Sequence, residues 1–405
     1  MNKIRQSILI TIVALLFGCT PHKEKTEIKI QLSEAEFLYQ LSNYTNDSLF
    51  LSVFNATQNN YNQASGDFID VLGKSMAEQH PDYLLASVFN TFELRDKVTY
   101  QSTNDEVIGV LKDEVKLAKE ATLQVLRKRI EFALTSNLFN KLEVLVQELP
   151  EKSTYSIIIN RKVDKTFISE LLQKMGNLGF WETHELSSIW EHLDSADKEI
   201  SAITKNDKVK PHSAENDTIV EGNSLFSVLM PAVLQDGTIQ KGCLIGYSHE
   251  KDTALVNQYL KSPSVRELFP RDLLFMWSTK MFDSNNDIIQ LFAIKNTRDG
   301  KAPLTGDCVV SAKANLSKQP ITIHLTMNAE GANIWSRMTN YNIDRQIAIV
   351  MDNVVFSAPF VYSEIKTGES EIAGGFSPEE ATNIAAILSA GPIPSITVKV
   401  LSVNE

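Results

Sequence analysis

The chain has 405 residues, enough for two or more domains with sizeable cores, and its 43% hydrophobic and 22% charged content is that of ordinary globular protein. A formal net charge of −11 gives a nucleic-acid role no electrostatic support and discourages flat docking onto anionic lipid.

The first residues read as a processing segment. Lys3 and Arg5 precede a short apolar run, Ile8–Leu16, which is too short to span a bilayer permanently. Leu16-Phe17-Gly18-Cys19 then has the form of a bacterial lipobox, with Cys19 as the lipidated residue. Phe17 departs from the small residue usual there. Residues 1–18 are thus expected to be a lipoprotein signal peptide, the alternatives being a plain secretory signal or an uncleaved anchor. The expected location is the cell envelope, lipid-anchored, with the body on the periplasmic side. No later segment approaches membrane-spanning length.

Glu27–Leu32 alternates charged or polar with apolar residues and predicts a half-buried strand. Ser33 with Glu36 forms a capping box ahead of helices across Glu34–Phe54, broken near Asn43–Asp47. Phe68–Gln79 and Asp82–Phe89 read as two more helices. Thr103–Phe132 is the strongest helix, with Val107, Val110, Leu111, Val115, Leu117, Ala118, Ala121, Val125 and Ile130 on its apolar face. Its basic cluster Arg127-Lys128-Arg129 is read as a helix end that complements the dipole, in preference to a phosphate hook.

Leu142–Leu149 and Tyr155–Asn160 read as strands, Thr166–Met175 as an amphipathic helix stopped by Gly176, and Leu178–His184 as a further strand. That β-α-β order predicts half of a ferredoxin-like unit. Asp194–Gly222 is polar, of mixed charge, and reads as a linker. Leu244–Ser248, Leu273–Lys280 and Ile288–Lys295 are expected strands, with a helix opened by Asp252 after the first of them. Thr322–Asn328 alternates, with Ile323, Leu325 and Met327 on one side and His324 on the other, and a helix starts at Asn328. Cys243 and Cys308 sit in apolar runs, either paired in an oxidising compartment or kept as buried thiols, and the second reading is preferred.

Gln346–Pro394 carries the densest signals. Ile347–Met351 reads as a strand buried on both faces, Asp352-Asn353 as a tight turn of positive φ, and Val354–Phe356 as the returning strand. Ser377-Pro378-Glu379-Glu380 is a capping box with proline at the first helical position. Ala381, Ile384, Ala385 and Leu388 make the buried face of that helix, and Gly391-Pro392 ends it.

The segments DNVVFSAP, IAGGFSPEEA and ILSAGPIP resemble the end of the first periplasmic domain of the SecD and SecDF protein-export membrane proteins. NLGFWET at 177–183, LFAIKNTRDGKAPLTGD at 291–307 and Asn328-Ala329-Glu330-Gly331-Ala332 continue the resemblance. The chain departs from that pattern at Asn353, Ala373 and Ser377, which replace glycine, serine and threonine. It departs again at Asn160-Arg161-Lys162, and at Lys128–Leu134, where the family's glycine is absent. The resemblance implies an α+β fold, with a ferredoxin-like base carrying a helical insertion and a small α/β head subdomain. It places the base in 19–194, a polar linker in 195–222, a middle β-α-β-β region in 223–296, the head in 297–394 and a strand returning to the base in 395–405. It implies a detached periplasmic domain, tethered by lipid, without the family's proton-linked membrane residues.

The seven histidines are scattered, and no nucleophile elbow, P-loop or HExxH pattern is present. The expectation is therefore a non-catalytic module with no cofactor and no metal. The resemblance implies that it binds unfolded or translocating polypeptide and assists export. Phe356, Phe360, Val361 and Tyr362 are the residues expected to line such a groove, or else to cover the head's own core. A structural or assembly role, in contact with the Sec translocon or another envelope complex, is the alternative. The expected hinges are Gly300, Pro303 and Gly306 at one crossing and Gly391, Pro392 and Pro394 at the other, unless these are rigid turns.

Overall fold

The computed structural model describes residues 25–61, 66–135, 142–206, 224–278, 287–394 and 396–404. Residues 1–18, which are expected to be a signal peptide, Cys19, most of the expected linker and Ser395 lie outside them.

The first elements are β1 (Thr26–Leu32), α1 (Glu34–Leu41), α2 (Ser48–Asn60), α3 (Phe68–Gln79), α4 (Asn104–Leu134), β2 (Val144–Glu148), β3 (Thr154–Ile159) and α5 (Lys165–Gln173). There follow β4 (Leu178–Glu182), α6 (Leu186–Asn206), β5 (Met230–Pro231), β6 (Leu244–His249), α7 (Thr253–Lys261), β7 (Leu273–Trp277), β8 (Ile288–Lys295), β9 (Leu304–Thr305) and β10 (Val309–Asn315). The remainder is β11 (Thr322–Met327), α8 (Ala329–Tyr341), β12 (Ile347–Met351), β13 (Val354–Ser357), β14 (Glu369–Ala373), α9 (Pro378–Ala390) and β15 (Val398–Asn404). The chain forms two compact units, one from residues up to Gln173 together with Ile393 onward, the other from Lys174–Pro392.

In the first unit the antiparallel sheet has the order β15-β1-β3-β2. Ile28, Ile30 and Leu32 of β1 are buried while the residues between them are half-buried, as the alternation predicts. Ser33 caps α1 by accepting the Glu36 N–H at 3.4 Å. Glu34 is buried, which a carboxylate tolerates only when paired. It accepts the Phe68 N–H at 3.2 Å and bonds Lys119 Nζ and Ser153 Oγ. One side chain thus ties α1 to α3, α4 and the start of β3. Asn43 and Tyr44 adopt positive φ where α1 and α2 part.

Thr103 and Glu106 make a reciprocal capping box on α4. The buried stripe of α4 runs Val107, Leu111, Val115, Ala118, Thr122, Leu126, Arg129 and Ile130. Leu117, expected on that face, is 57% exposed, and Leu126 and Arg129 lie inside instead. Steps of three and four residues average close to the helical repeat, and Leu117 falls between two stripe positions. Arg129 donates from Nη1 to the Leu171 carbonyl at 3.2 Å. It therefore complements the C-terminal turn of α5, a neighbour, where the sequence suggests the end of its own helix.

The second unit holds three antiparallel sheets, ordered β13-β12-β4-β9, β5-β6-β8-β7 and β10-β11-β14. All five residues of β12 are buried. Asp352 and Asn353 have φ of 52° and 64° and close the β12–β13 turn. The Asp352 carboxylate accepts the N–H groups of Gly176 at 3.1 Å and Asn177 at 2.9 Å, which anchors that turn beside β4. Leu186, Ile189, Leu193, Ala196 and Ile200 on α6 pack with Ile245, Val256, Leu260 and Leu291 in one core. Trp181, Cys243, Phe292, Ala348 and Val355 belong to another. Ser377 and Glu380 form the expected capping box, and Gly391 ends α9 at φ 87°. On that helix, Ser389 Oγ accepts the Ala312 N–H and donates to the Ala312 carbonyl, both at 2.9 Å, holding α9 to β10.

Three expectations are corrected. The β-α-β unit of β3, α5 and β4 does not form, because β4 pairs with β12 and β9 in the second unit. Four of its five residues are buried, so it fits a central position between two neighbours. Residues 195–206 are helical as the continuation of α6, whose apolar residues recur at helical spacing beneath the polar composition. Helix in the Asp82–Phe89 stretch is confined to Ala86–Phe89. Three strands, β5, β9 and β10, were not signalled: the first two span two residues each, and the alternation of β10 is blurred by lysine, asparagine and small residues.

Candidate functional site

The segment after β13 is held by its backbone. Ile347 N–H donates to the Pro359 carbonyl at 3.2 Å, Val361 N–H to Arg345 O at 2.9 Å, and Asp344 N–H to Val361 O at 2.8 Å. Gln346 Nε2 donates to Ala358 O at 2.6 Å. These bonds clamp Pro359–Val361 while its flanking side chains diverge. Val361 is 6% exposed and Tyr362 is 85% exposed. Phe360 is half-buried, with Lys241 Nζ 5.5 Å from its ring centroid.

Across from this segment lies α8. Asn328 caps it, its Oδ1 accepting the Gly331 N–H at 2.8 Å. A side chain at Gly331 would meet Cys308 Cβ at 2.6 Å, so the helix start sits close to β10 only because that residue is glycine. Trp335 is buried against Phe180, ring centroids 5.0 Å apart. Thr339 Oγ1 donates to Trp335 O at 2.8 Å and accepts the Ile365 N–H at 3.0 Å, fixing the loop that leaves the clamp. The Ser336 hydroxyl bonds Glu364 at 2.5 Å and holds that carboxyl below its ordinary range.

Between them is a cavity of about 560 Å³. Trp335, Ile347 and Ile349 give it an apolar lining, Phe360, Val361 and Tyr362 lie along one side, and His324, Glu369 and Glu371 along another. Phe356 is elsewhere. It lines a second cavity of about 310 Å³ with Phe360, Gln346 and Phe292, its ring centroid 6.3 Å from that of Phe376. Phe360, Val361 and Tyr362 thus share the first cavity, and Phe356 lines the second together with Phe360. Trp335 and the carboxylates were not singled out by sequence reasoning. The alternation of β11 placed His324 on its polar side, and that signal was available.

The expected hinge residues fall at two places. Gly300 has φ 68° with open space where a side chain would project, and Pro303 and Gly306 flank β9, which pairs with Gly179 and Phe180. Gly391, at φ 87°, and Pro392 stand where the chain leaves the second unit, and Pro394 lies just beyond. Neither Cys243 nor Cys308 forms a disulfide. Burial pushes the Cys243 thiol up to about 12. No helix among the described residues is long and apolar enough to cross a membrane.

An α+β chain with several small antiparallel sheets is thereby defined, and comparison with known proteins places it near the SecD and SecDF group. Residues 287–395 match the family described as SecDF, P1 head subdomain. The chain is 27% identical over 368 residues to the protein translocase subunit SecD of Rhodothermus marinus, covering 86% of this chain and 56% of that relative. It is 31% identical over 134 residues to SecD of Calditerrivibrio nitroreducens, 33% of this chain and 25% of the relative. A SecDF crystal structure in a super-membrane-facing form aligns over 71% of this chain and 28% of its own, at 20% identity and a TM-score of 0.36. The chain is similar to a SecD/SecDF periplasmic domain, and it spans about half the length of the Rhodothermus relative.

Proposed function

We propose that the chain is an envelope lipoprotein, lipidated at Cys19, whose head binds unfolded or translocating polypeptide and assists protein export without catalysis. The observation that carries this reading is the apolar cavity beside Phe360, Val361 and Tyr362, inside the segment that matches the SecDF P1 head. The relatives that match 86% and 33% of the chain are translocase subunits, which supports an export role. The sheet order β15-β1-β3-β2 supports reading the first unit as a ferredoxin-like base with α1–α4 inserted between its first two strands. Translocon subunits are the second class of partner, also suggested by those relatives.

In this reading the two crossings, at Gly300, Pro303 and Gly306 and at Gly391, Pro392 and Pro394, admit changes of direction. Any movement of the head is passive, since a ligand shifts two arrangements only by its differential affinity for them. A head-to-base distance that follows an imposed proton gradient in vesicles holding only this protein would refute that part.

The main test is titration of unfolded secretory chains against the protein from residue 25 onward. Saturable binding in the micromolar range is expected. Absence of binding at about 50 μM, equivalent to roughly −6 kcal/mol, overturns the reading. A pull-down with the lipidated protein that recovers translocon subunits and no client chains would favour the assembly role.

A further inference from the structure

Among the described residues β14 ends its sheet, and β11 is its one paired neighbour. The phase of that pairing fixes which backbone groups are used. Met327 N–H donates to Gly368 O at 2.9 Å. In an antiparallel ladder bonded and non-bonded pairs alternate, so Leu325 with Ser370 and Ile323 with Ile372 are bonded pairs. The N–H and C=O groups of Glu369, Glu371 and Ala373 consequently point away from β11. Thr367 Oγ1 takes the Glu369 N–H at 3.3 Å. The other groups of that row meet no hydrogen-bond partner among the described residues.

This edge strand contributes Glu369, Ser370 and Glu371 to the lining of the 560 Å³ cavity, beside His324 of β11. Two further observations bear on what fills it. Trp335, 3% exposed, lines the cavity, and its indole N–H finds no acceptor among the described residues. A buried donor of that kind is costly unless something supplies an oxygen. The carboxylates of the lining are those of Glu369 and Glu371, and among the described residues only Glu371 has a cationic partner, Lys318 at 2.5 Å.

We propose that an extended segment of another polypeptide, with a basic residue next to an apolar one, binds here by adding a strand to the free edge of β14. Its backbone would complete the ladder of Glu371 and Ala373. An apolar side chain would fill the space over Trp335, Ile347 and Ile349, and a lysine or arginine would meet Glu369. This rests on the polypeptide-binding reading and adds the mode of binding. Recognition through the backbone explains how one site accepts chains of many sequences, while the alternation of side chains sets a preference.

The test uses a fluorescent peptide of alternating valine and lysine, on the order of eight residues, long enough for one strand. Binding is read by anisotropy. The same peptide methylated on alternate backbone nitrogens, in each of the two phases, must lose affinity by about tenfold or more in one phase, as expected when ladder hydrogen bonds are removed. Glu371→Pro removes an N–H that faces the open edge and no bond to β11, a placement edge strands tolerate. It is expected to reduce binding similarly, with circular dichroism reporting the fold. If that variant does not fold, the methylated peptides decide alone. Glu369→Gln is expected to weaken the lysine peptide and leave a valine–serine peptide unchanged.

Equal affinity for the parent and both methylated peptides overturns strand addition and leaves polypeptide binding standing. Binding of unfolded secretory chains but not of the peptide overturns the inference alone, whereas absence of both overturns the underlying reading. Concentration-dependent dimers that Glu371→Pro abolishes would assign the edge to a second copy and overturn the proposed occupant.

Discussion

Gln346 Oε1 accepts the Cys243 N–H at 2.7 Å while the same amide donates to Ala358 O at 2.6 Å, so one side chain joins the start of β6 to the end of β13. Its own carbonyl accepts the Thr183 hydroxyl at 2.6 Å. Gly242 stands beside it at φ 115°, and a Cβ there would lie 2.2 Å from Gln346 Oε1. Gln346→Leu leaves two backbone groups without their partner and is expected to cost about 2 to 4 kcal/mol, read from urea denaturation. Gly242→Ala is destabilising through both strain and contact. Because the two residues share the same space, their double variant is expected to be less destabilised than the sum. Strict additivity would break this account.

Reactivity should separate Cys243 from Cys308. Burial pushes the Cys243 thiol up to about 12, and burial with Glu330 and Asp307 nearby also raises that of Cys308, which is half-exposed. Cys308 is expected to alkylate slowly in the folded protein at pH 8, and Cys243 only on unfolding. The sign for stability follows. Below the ordinary thiol value of 9.0 both states hold the Cys243 proton, and the contribution is fully present. Above it the unfolded chain ionises first, so that contribution is lost as pH rises from 9.0 toward about 12. Cys243→Ala should show a shallower alkaline loss than the parent.

Arg129 is fully buried, with Nη1 on the Leu171 carbonyl. Arg129→Met keeps most of the volume and removes the donor at the last turn of α5. The expected cost is about 1 to 3 kcal/mol, with protection of the α5 amides falling in hydrogen exchange. An unchanged midpoint and unchanged exchange would show that the guanidinium is dispensable there.

The head has its own separable element. Ser377 Oγ accepts the Glu380 N–H at 3.1 Å and Glu380 returns the bond to the Ser377 N–H at 2.8 Å. Ser377→Ala is expected to cost about 1 kcal/mol. Ser377→Thr, which keeps the hydroxyl, should cost less, and equal effects would argue against the cap.

Legibility in the sequence followed the range of the forces. Elements governed by neighbours in the chain were readable to within a few residues, as with β12, the positive-φ turn at Asp352-Asn353 and the cap at Ser377. What was not readable depends on residues far apart. Leu178–Glu182 has the composition of a buried strand in any sheet, and nothing local says that its neighbour is Ile347–Met351 rather than Thr154–Ile159. Arg129 looks like any basic helix end until Leu171 is placed beside it. At the candidate site, Phe360 and Tyr362 stood out by type. Trp335, Glu369 and Glu371 converge on them only through the packing of α8 and β14.

The pairing of β1 with β15 has a consequence for the order of events at the ribosome. Thr26–Leu32 emerges early, and its partner Val398–Asn404 emerges only after residues 33–397 have been made. Until then one side of β1 is an open template, the kind of exposed edge that invites wrong pairings, and its closure is slow because the loop is long. Lys174–Pro392 contains every strand of its own three sheets and is complete before that closure. A chain that lacks the residues beyond Pro392 therefore holds every strand of the second unit but only three of the four strands of the first sheet.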